Sequence, residues 1–455
     1  MKSTMYLAII AFLFLCCSEM EVKWTKEIDA AGPGHYRIND ISPNRKKGVC
    51  ITGSYWTTDS GRQCFTARCD SMGEFEWFKI FDFHNYKSVE GKSIIVLQGE
   101  VDILQISAGV YVHAQAIDSL DIRRLMLIRY DSFGNIVWEK IVDIPADQTE
   151  LESTILSDYS GDIYIAGLRM KMDGKYSIFI TKYDQSGEEL WNTDYSLTSL
   201  HLPHVRFDVK RSDQIIVGGV LETYNDFFFI RCDSTGKFRD LKIHQTPEKE
   251  SILMGLEIGI TGTVYITGIS YTEETGKDYL TVVYSENDSL LWLRRFDGPA
   301  HMDDIPKAIA AVVFDDSFHV YVTGLSQNSN ATADLVTIKY DQTGNEFWVK
   351  KFVGKIGESV EPFCLNLGSV YHAGQPITPS NFYIAGNIGS DALVLRYNSN
   401  GFLSWFTRYG DKGEISKATA SAKGYVAVES TSERKHKASI VKYGETEQFG
   451  IIRWD

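Results

Sequence analysis

The sequence predicts an all-β fold: a single β-propeller of eight four-stranded antiparallel blades, with seven blades as the alternative. Three observations predict it. A segment holding a basic residue, an aromatic or Cys, an Asp or Asn and a Gly turn recurs as RCDSMGEFEW, RYDSFGNIVW, KYDQSGEELW, KYDQTGNEFW and RYNSNGFLSW. A second segment stands upstream of it as DIYIAG, TVYITG, HVYVTG and NFYIAG, with CITG in the first unit. The chain is 13% aromatic, rich in Tyr and Phe, and has no long helical period, which favours strands.

Each unit reads as four strands in order. Strand A is an apolar stretch such as Ala308 to Phe314, ended by a turn at Asp315, Asp316 and Ser317. Strand B is the YVTG-like segment, whose closing glycine stands at 53, 167, 219, 268, 324 and 386, with Ala114 and Val428 in two units. In five units the next aromatic or cysteine lies sixteen residues on, the fixed register that stacked hairpins require. Strand C carries the basic-aromatic-Asp segment, and strand D follows the Gly turn and carries Trp. The spacing from one to the other is eight residues in Cys69 to Trp77, Tyr130 to Trp138, Tyr183 to Trp191, Tyr284 to Trp292, Tyr340 to Trp348 and Tyr397 to Trp405. Weaker copies join Cys232 to Asp240 and Tyr443 to Ile451, completing eight. One such unit cannot bury both its faces, so units must stack around a ring. The recurring Trp is the side chain expected to wedge between them. Trp24 lies in a segment, 21–28, that resembles strand D with no strand C before it. It is expected to complete the last blade, in competition with the segment 449–454.

The formal net charge is -14 and no basic run exceeds Arg45-Lys46-Lys47, which excludes a nucleic-acid partner of the usual electrostatic kind. Lys2 and the apolar run from Met5 to Leu15 read as a signal peptide over 1–16, too short to span a bilayer. Phe14-Leu15-Cys16-Cys17-Ser18 resembles a bacterial lipobox, which implies acylation at Cys17 (Cys16 being the alternative) and a mature chain of 17–455. Contact with membrane is then expected through the lipid anchor alone, and simple secretion is the alternative. Cys50, Cys64, Cys69, Cys232 and Cys364 form neither a disulfide framework nor a zinc pattern, and are read as buried thiols.

At these motifs the chain resembles the bacterial SBBP β-propeller repeat family, related to YVTN-type surface-protein repeats. The resemblance covers nearly all of the mature chain. It implies a cell-envelope or extracellular propeller, in a family usually without an assigned reaction. The Asp-x-x-Gly turns differ from sialidase Asp boxes, which space Asp and Gly two apart.

Function is expected on the face formed by the D–A and B–C connections. The C–D turn is always tight, whereas the interval from Trp to the next strand-B position runs from 23 residues (Trp405 to Val428) to 38 (Trp348 to Gly386). Trp56 and Tyr271 on that face are the candidate aromatic contacts. His301 and Asp304, in the cluster His301-Met302-Asp303-Asp304, are the candidate polar ones. His35, His84, His201, His204, His244 and His436 are read as solvated loop histidines. No GxSxG, HExxH or phosphate-binding glycine loop occurs, so no catalytic residue, metal or cofactor is assigned. The expected role is an envelope-anchored binding or scaffold module for a protein or glycan. The alternative is a carbohydrate-active lyase or hydrolase with its site at the channel mouth.

Overall fold

The computed structural model describes residues 18–19, 22–32, 34–43, 48–81, 86–97, 109–142, 148–197, 205–210, 214–221, 226–245, 251–259, 261–314, 317–367, 381–409, 414–420, 425–432 and 435–443. Two strands lead the chain, β1 (Ser18–Glu19) and β2 (Val22–Glu27). The first blade is β3 (His35–Pro43), β4 (Val49–Trp56), β5 (Gln63–Cys69) and β6 (Phe75–Phe81). The second is β7 (Tyr86–Leu97), β8 (Gly109–Asp118), β9 (Arg123–Tyr130) and β10 (Ile136–Val142). The third is β11 (Gln148–Ser157), β12 (Ile163–Lys171), β13 (Tyr176–Tyr183) and β14 (Glu189–Leu197). The fourth is β15 (Arg206–Val209), β16 (Ile215–Leu221), β17 (Asp226–Cys232) and β18 (Lys242–His244). The fifth is β19 (Ser251–Ile258), β20 (Val264–Thr272), β21 (Gly276–Tyr284) and β22 (Leu290–Phe296). The sixth is β23 (Asp304–Phe314), β24 (Ser317–Gln327), β25 (Ala333–Tyr340) and β26 (Glu346–Phe352). The seventh is β27 (Val360–Leu367), β28 (Asn381–Ile388), β29 (Asp391–Asn398) and β30 (Leu403–Tyr409).

These seven are antiparallel blades of four consecutive strands. The remaining strands, β31 (Glu414–Ala420), β32 (Tyr425–Ser432) and β33 (Lys435–Tyr443), take β2 as a fourth, antiparallel to β33. The ring thus holds eight sheets among the described residues, seven continuous and one shared between the two ends of the chain. Strand A of each sheet packs on the preceding one: β23 lies on β19, β20 and β21, β31 on β27, β28 and β29, and β3 on β31, β32 and β33. The competing segment 449–454 lies outside the described residues.

The repeated motif explains the stacking. Within a blade, the turn Asp accepts two backbone N–H groups: Asp341 Oδ1 takes those of Thr343 at 2.8 Å and Asn345 at 2.9 Å. Such a side-chain cap fixes a short turn before strand D. Between blades, the strand-D Trp reaches the next blade's turn. Trp77 Nε1 donates to Ser132 O at 3.2 Å, Trp138 to Gln185 O at 3.3 Å, Trp191 to Ser234 O at 2.9 Å and Trp292 to Gln342 O at 3.1 Å. Every acceptor is the residue after the turn Asp. The Trp ring covers the turn glycine: a Cβ on Gly344, which sits at φ +79°, would stand 2.6 Å from the Trp292 ring. The basic residue before the aromatic does parallel work, with Arg129 Nη1 donating to Gln185 O at 2.9 Å and Lys339 Nζ to Ser399 O at 3.2 Å.

Nearer the axis, strand A of one blade accepts from strand A of the next. Asp40 Oδ2 takes Ile94 N–H, Ser93 Oγ takes Ile155 N–H, Asp208 Oδ2 takes Ile258 N–H and Glu257 Oε2 takes Ala311 N–H, over 2.8–3.2 Å. The cysteines fit the packing role: Cys50, Cys64, Cys69 and Cys232 are buried free thiols, and burial pushes Cys50 and Cys64 up to about 12. Cys364 is half-buried. The wedge Trp are unequally covered: Trp77, Trp292 and Trp405 are buried, but Trp138, Trp191 and Trp348 are half-buried because their outer edge faces solvent.

Trp292→Ala is therefore expected to cost roughly 3–5 kcal/mol, and Trp191→Ala less. Gly344→Ala, strained at positive φ and pressed by the ring, should destabilise by more than about 1 kcal/mol. The double mutant should fall short of the sum by at least about 0.5 kcal/mol, because the clash disappears with the ring. Urea unfolding of the four proteins measures this. Strict additivity would show that the ring does not press on the turn.

Candidate functional site

On the face of the D–A and B–C connections, the loop joining β22 to β23 groups three carboxylates among the described residues. Asp278 enters from the start of β21, Asp297 follows β22, and Asp304 opens β23. One carboxylate oxygen from each lies within 4.8 Å of the other two. Asp278 and Asp304 are fully buried and Asp297 is partly so.

Each carboxylate has one oxygen engaged. Asp278 Oδ2 accepts from Thr275 Oγ1 at 2.6 Å and Arg295 Nε at 2.7 Å. Asp304 Oδ2 accepts the Gly298 N–H. Asp297 Oδ2 lies 2.6 Å from His301 Nδ1. The opposite oxygen, Oδ1, is buried in all three and has no hydrogen-bond partner. Burial pushes Asp304 up to about 6, opposed by hydrogen bonds from Ser326 and Gly298 and reinforced by the neighbouring Asp278 and Asp297. Burial also raises Asp278, against the hydrogen bonds from Thr275 and Arg295. The loop turns back through His301, at φ 50°, whose N–H bonds Gly298 O at 3.0 Å. It is docked on the β20–β21 hairpin by Lys277 N–H to Asp303 Oδ1 at 3.2 Å.

The structure therefore groups His301 and Asp304 in one loop. It brings the hairpin of Tyr271 beside them, since Tyr271 is paired with Lys277 across β20 and β21. His301 is exposed and Tyr271 half-buried. Trp56 lies elsewhere, at the end of β4 in the first blade. Its ring stacks on His35, with centroids 5.3 Å apart and planes 16° apart, and Arg62 lies over it at 5.1 Å. The four candidates thus fall on two separate parts of the loop face. Cys17, His84, His201 and His204 lie outside the described residues.

The sequence reading overlooked Asp278, Asp297 and Arg62, and it took His35 for a solvated loop histidine, whereas His35 lies in β3, half-buried against Trp56. A signal existed for Asp278: it stands six residues before Tyr284, as Asp226, Asp334 and Asp391 stand before Cys232, Tyr340 and Tyr397. A third polar group, Asp208, Lys210 and Glu257, lines the inner strands of the fourth and fifth blades. Burial raises Glu257 to about 7, while Lys210 lowers it. Its Oε2 is engaged by Ala311 N–H, the same inter-blade bond that Asp40 and Asp208 make, so this group belongs to the stacking. Asp158 likewise caps its own turn, accepting Ser160 N–H at 2.9 Å and Asp162 N–H at 3.1 Å.

No family model and no curated protein matches the chain. Among solved structures, it is similar to the WD40 domain of SCAP from fission yeast, at 10% identity and a TM-score of 0.49, over 93% of this chain and 98% of that one. It is similar to the WD40 domain of Toxoplasma gondii coronin at 8% identity and a TM-score of 0.43, over 95% and 90%. It is also similar to a Hadza microbial sialidase at 12% identity and a TM-score of 0.38, over 64% and 63%.

Asp304 sets a pH dependence. Its folded value of about 6 lies above the ordinary 3.8, so between those values the folded protein keeps a proton that the unfolded chain releases. Its contribution to stability thus falls as pH rises through that window, by on the order of 3 kcal/mol. Asp304→Asn, which cannot ionise, should become progressively more stable than wild type from about pH 4 to pH 6 in buffer free of divalent cations. Urea titrations across that range measure it, and a flat difference would contradict the burial account.

Proposed function

We propose that this protein is a noncatalytic binding or scaffold propeller of the bacterial cell envelope, which takes a protein or glycan on its loop face and is tethered by an acylated Cys17. The observation that carries the reading is the inequality of the two faces. On the tight-turn face, the Asp-capped turns are occupied by Trp and basic side chains of the preceding blade. The loop face instead offers the half-buried Trp56 ring with His35 and the exposed Arg62, an aromatic and cationic surface suited to a sugar ring or an acidic peptide. The likeness of the strand B and C motifs to SBBP and YVTN-type repeats supports an envelope location.

The course of the N-terminus supports an orientation. Ser18 and Glu19 run parallel to β30, opposite Trp405 and Phe406, and Val22 of β2 faces Tyr443. Both contacts lie at the tight-turn ends of strands that play the strand-D role. An acyl group on the residue before Ser18 would hold that face toward lipid and leave Trp56, Tyr271 and His301 facing away.

Two measurements test the reading. Tyr271→Cys should be labelled by an impermeant maleimide in intact envelopes and Ser186→Cys protected, in a Cys364→Ser background; the reverse pattern would invert the orientation. In pull-downs from solubilised envelope, Trp56→Ala should reduce recovery of the specific partner by about tenfold or more, while Phe133→Ser on the tight-turn face leaves it unchanged. Equal recovery by all three proteins would remove Trp56 from the binding surface.

A further inference from the structure

We propose that Asp278, Asp297 and Asp304 form a calcium site that pins the β22–β23 loop to the fifth blade. The sequence reading assigned no metal, and the internal repeat is what reveals one. An Asp at the start of strand C with a basic partner three residues after the strand-D Trp recurs in the fifth, sixth and seventh blades, buried in the first two and partly buried in the third. Asp278 pairs with Arg295, Asp334 with Lys351 and Asp391 with Arg408. That pair alone accounts for Asp278.

The junction of the fifth and sixth blades adds two carboxylates that its neighbours lack. The position of Asp297 is Val353 one blade later, five residues after Trp348. The position of Asp304, paired with Ser326 two residues beyond the strand-B glycine, is Val360 in the seventh blade and Ser251 in the fifth. Three carboxylates are thus grouped where one guanidinium, that of Arg295, pairs with Asp278 alone of the three. A buried acidic excess of this kind is costly unless a cation neutralises it.

The hydrogen bonds show where the cation fits. Arg295 and Thr275 take Oδ2 of Asp278, Gly298 takes Oδ2 of Asp304, and His301 takes Oδ2 of Asp297. In each residue Oδ1 is left buried and bare, so three unpartnered oxygens come from three separate segments. All-oxygen donors select a hard cation over zinc. Calcium, which binds oxygens at roughly 2.3–2.6 Å, holds ligands up to about 5 Å apart and tolerates irregular geometry, whereas magnesium demands a tighter octahedron. The observed limit of 4.8 Å suits calcium. Bound there, it would join β21, the loop and β23, and so fix His301 and the Tyr271 hairpin on the loop face.

The experiment uses the full chain, stripped with chelator and titrated with calcium chloride by calorimetry and thermal melting. One equivalent should bind, with the melting midpoint rising by about 3–5 °C at a hundredfold excess over Kd. Asp297→Asn, in a partly exposed loop position that should leave folding intact, should weaken binding tenfold or more. Asp303→Asn, outside the trio, should not. Magnesium at equal concentration should give the smaller shift. Absence of calcium uptake at about 5 mM, within the range of weak extracellular calcium sites, would overturn the proposal. So would uptake that Asp297→Asn and Asp304→Asn both leave unchanged, or tighter binding of magnesium.

Discussion

The contact between a strand-D Trp and the next blade's Gly turn sets the step from one blade to the next. It combines a donated hydrogen bond, a large apolar ring and a glycine whose missing Cβ makes room. Neither half works alone, because the turn needs its Asp cap to present its carbonyl and its glycine to admit the ring. The fourth blade shows the dependence by exception. Asp240 stands where Trp would, and β18 shortens to Lys242–His244. The following turn then lacks glycine as well, holding Asp288 at φ 60°. Arg231 takes over the junction, with Nε on Asp288 Oδ1 at 2.6 Å and its Nη atoms on the Gly262 and Ser285 carbonyls. Where the ring is lost, the space reserved for it is lost too, and a charged fork spans the gap.

That constraint divides the molecule into a conserved-geometry face and a free one. The C–D turns are engaged in stacking, so their sequence is held to Asp, Gly and a carbonyl at a fixed place. The axis-facing ends of strand A are engaged too, since Asp40, Ser93, Asp208 and Glu257 accept backbone N–H groups from the next blade. Acids lining a propeller channel invite a catalytic interpretation, and Glu257, raised to about 7, is the strongest case. Its bond to Ala311 has equivalents in the backbone N–H groups that Asp40, Ser93 and Asp208 accept from the next blade, which assigns it to stacking. The described D–A and B–C connections share no repeated cap or wedge of this kind, and they are where Trp56 and the Asp304 loop have diverged from the repeat.

The fold was legible in the sequence because a repeat samples the same physics many times. Tyr-to-Trp spacing, the turn glycine and the strand-B glycine each recur, and the last also has a simple cause: a Cβ on Gly324 would strike the Ile305 carbonyl of strand A. The pairing of Trp24 with the end of the chain was legible for the same reason, as a strand D missing its strand C. The site was only half legible. His301 and Asp304 stood out as a polar cluster, but Asp278 is nineteen residues before Asp297 and belongs to a different strand, so only the fold unites them. Trp56 was singled out as an aromatic of the loop face, where its ring is half-buried, but its companions His35 and Arg62 come from β3 and the β4–β5 connection, and no local pattern links them. Repeats advertise what every blade shares; function resides in what one blade changes.

The same logic gives a rule for locating function in this ring. Among the described residues, besides the Trp56 surface, the repeat is broken at the Trp-free junction at Asp240, the composite sheet at the chain ends, and the acidic junction at Asp297 and Asp304: three departures. The first is closed by Arg231, whose guanidinium nitrogens all find acceptors within the junction. The second is a solution to closure, in which β2 supplies the fourth strand that β31, β32 and β33 lack. The third leaves one unpartnered, buried carboxylate oxygen on each of three grouped Asp residues. A stacking role would have left those oxygens bonded to backbone N–H groups, as it did for Asp40 and Asp208. Their exemption from that role, in a loop that also presents His301 to solvent, separates the third departure from structural variation in the ring.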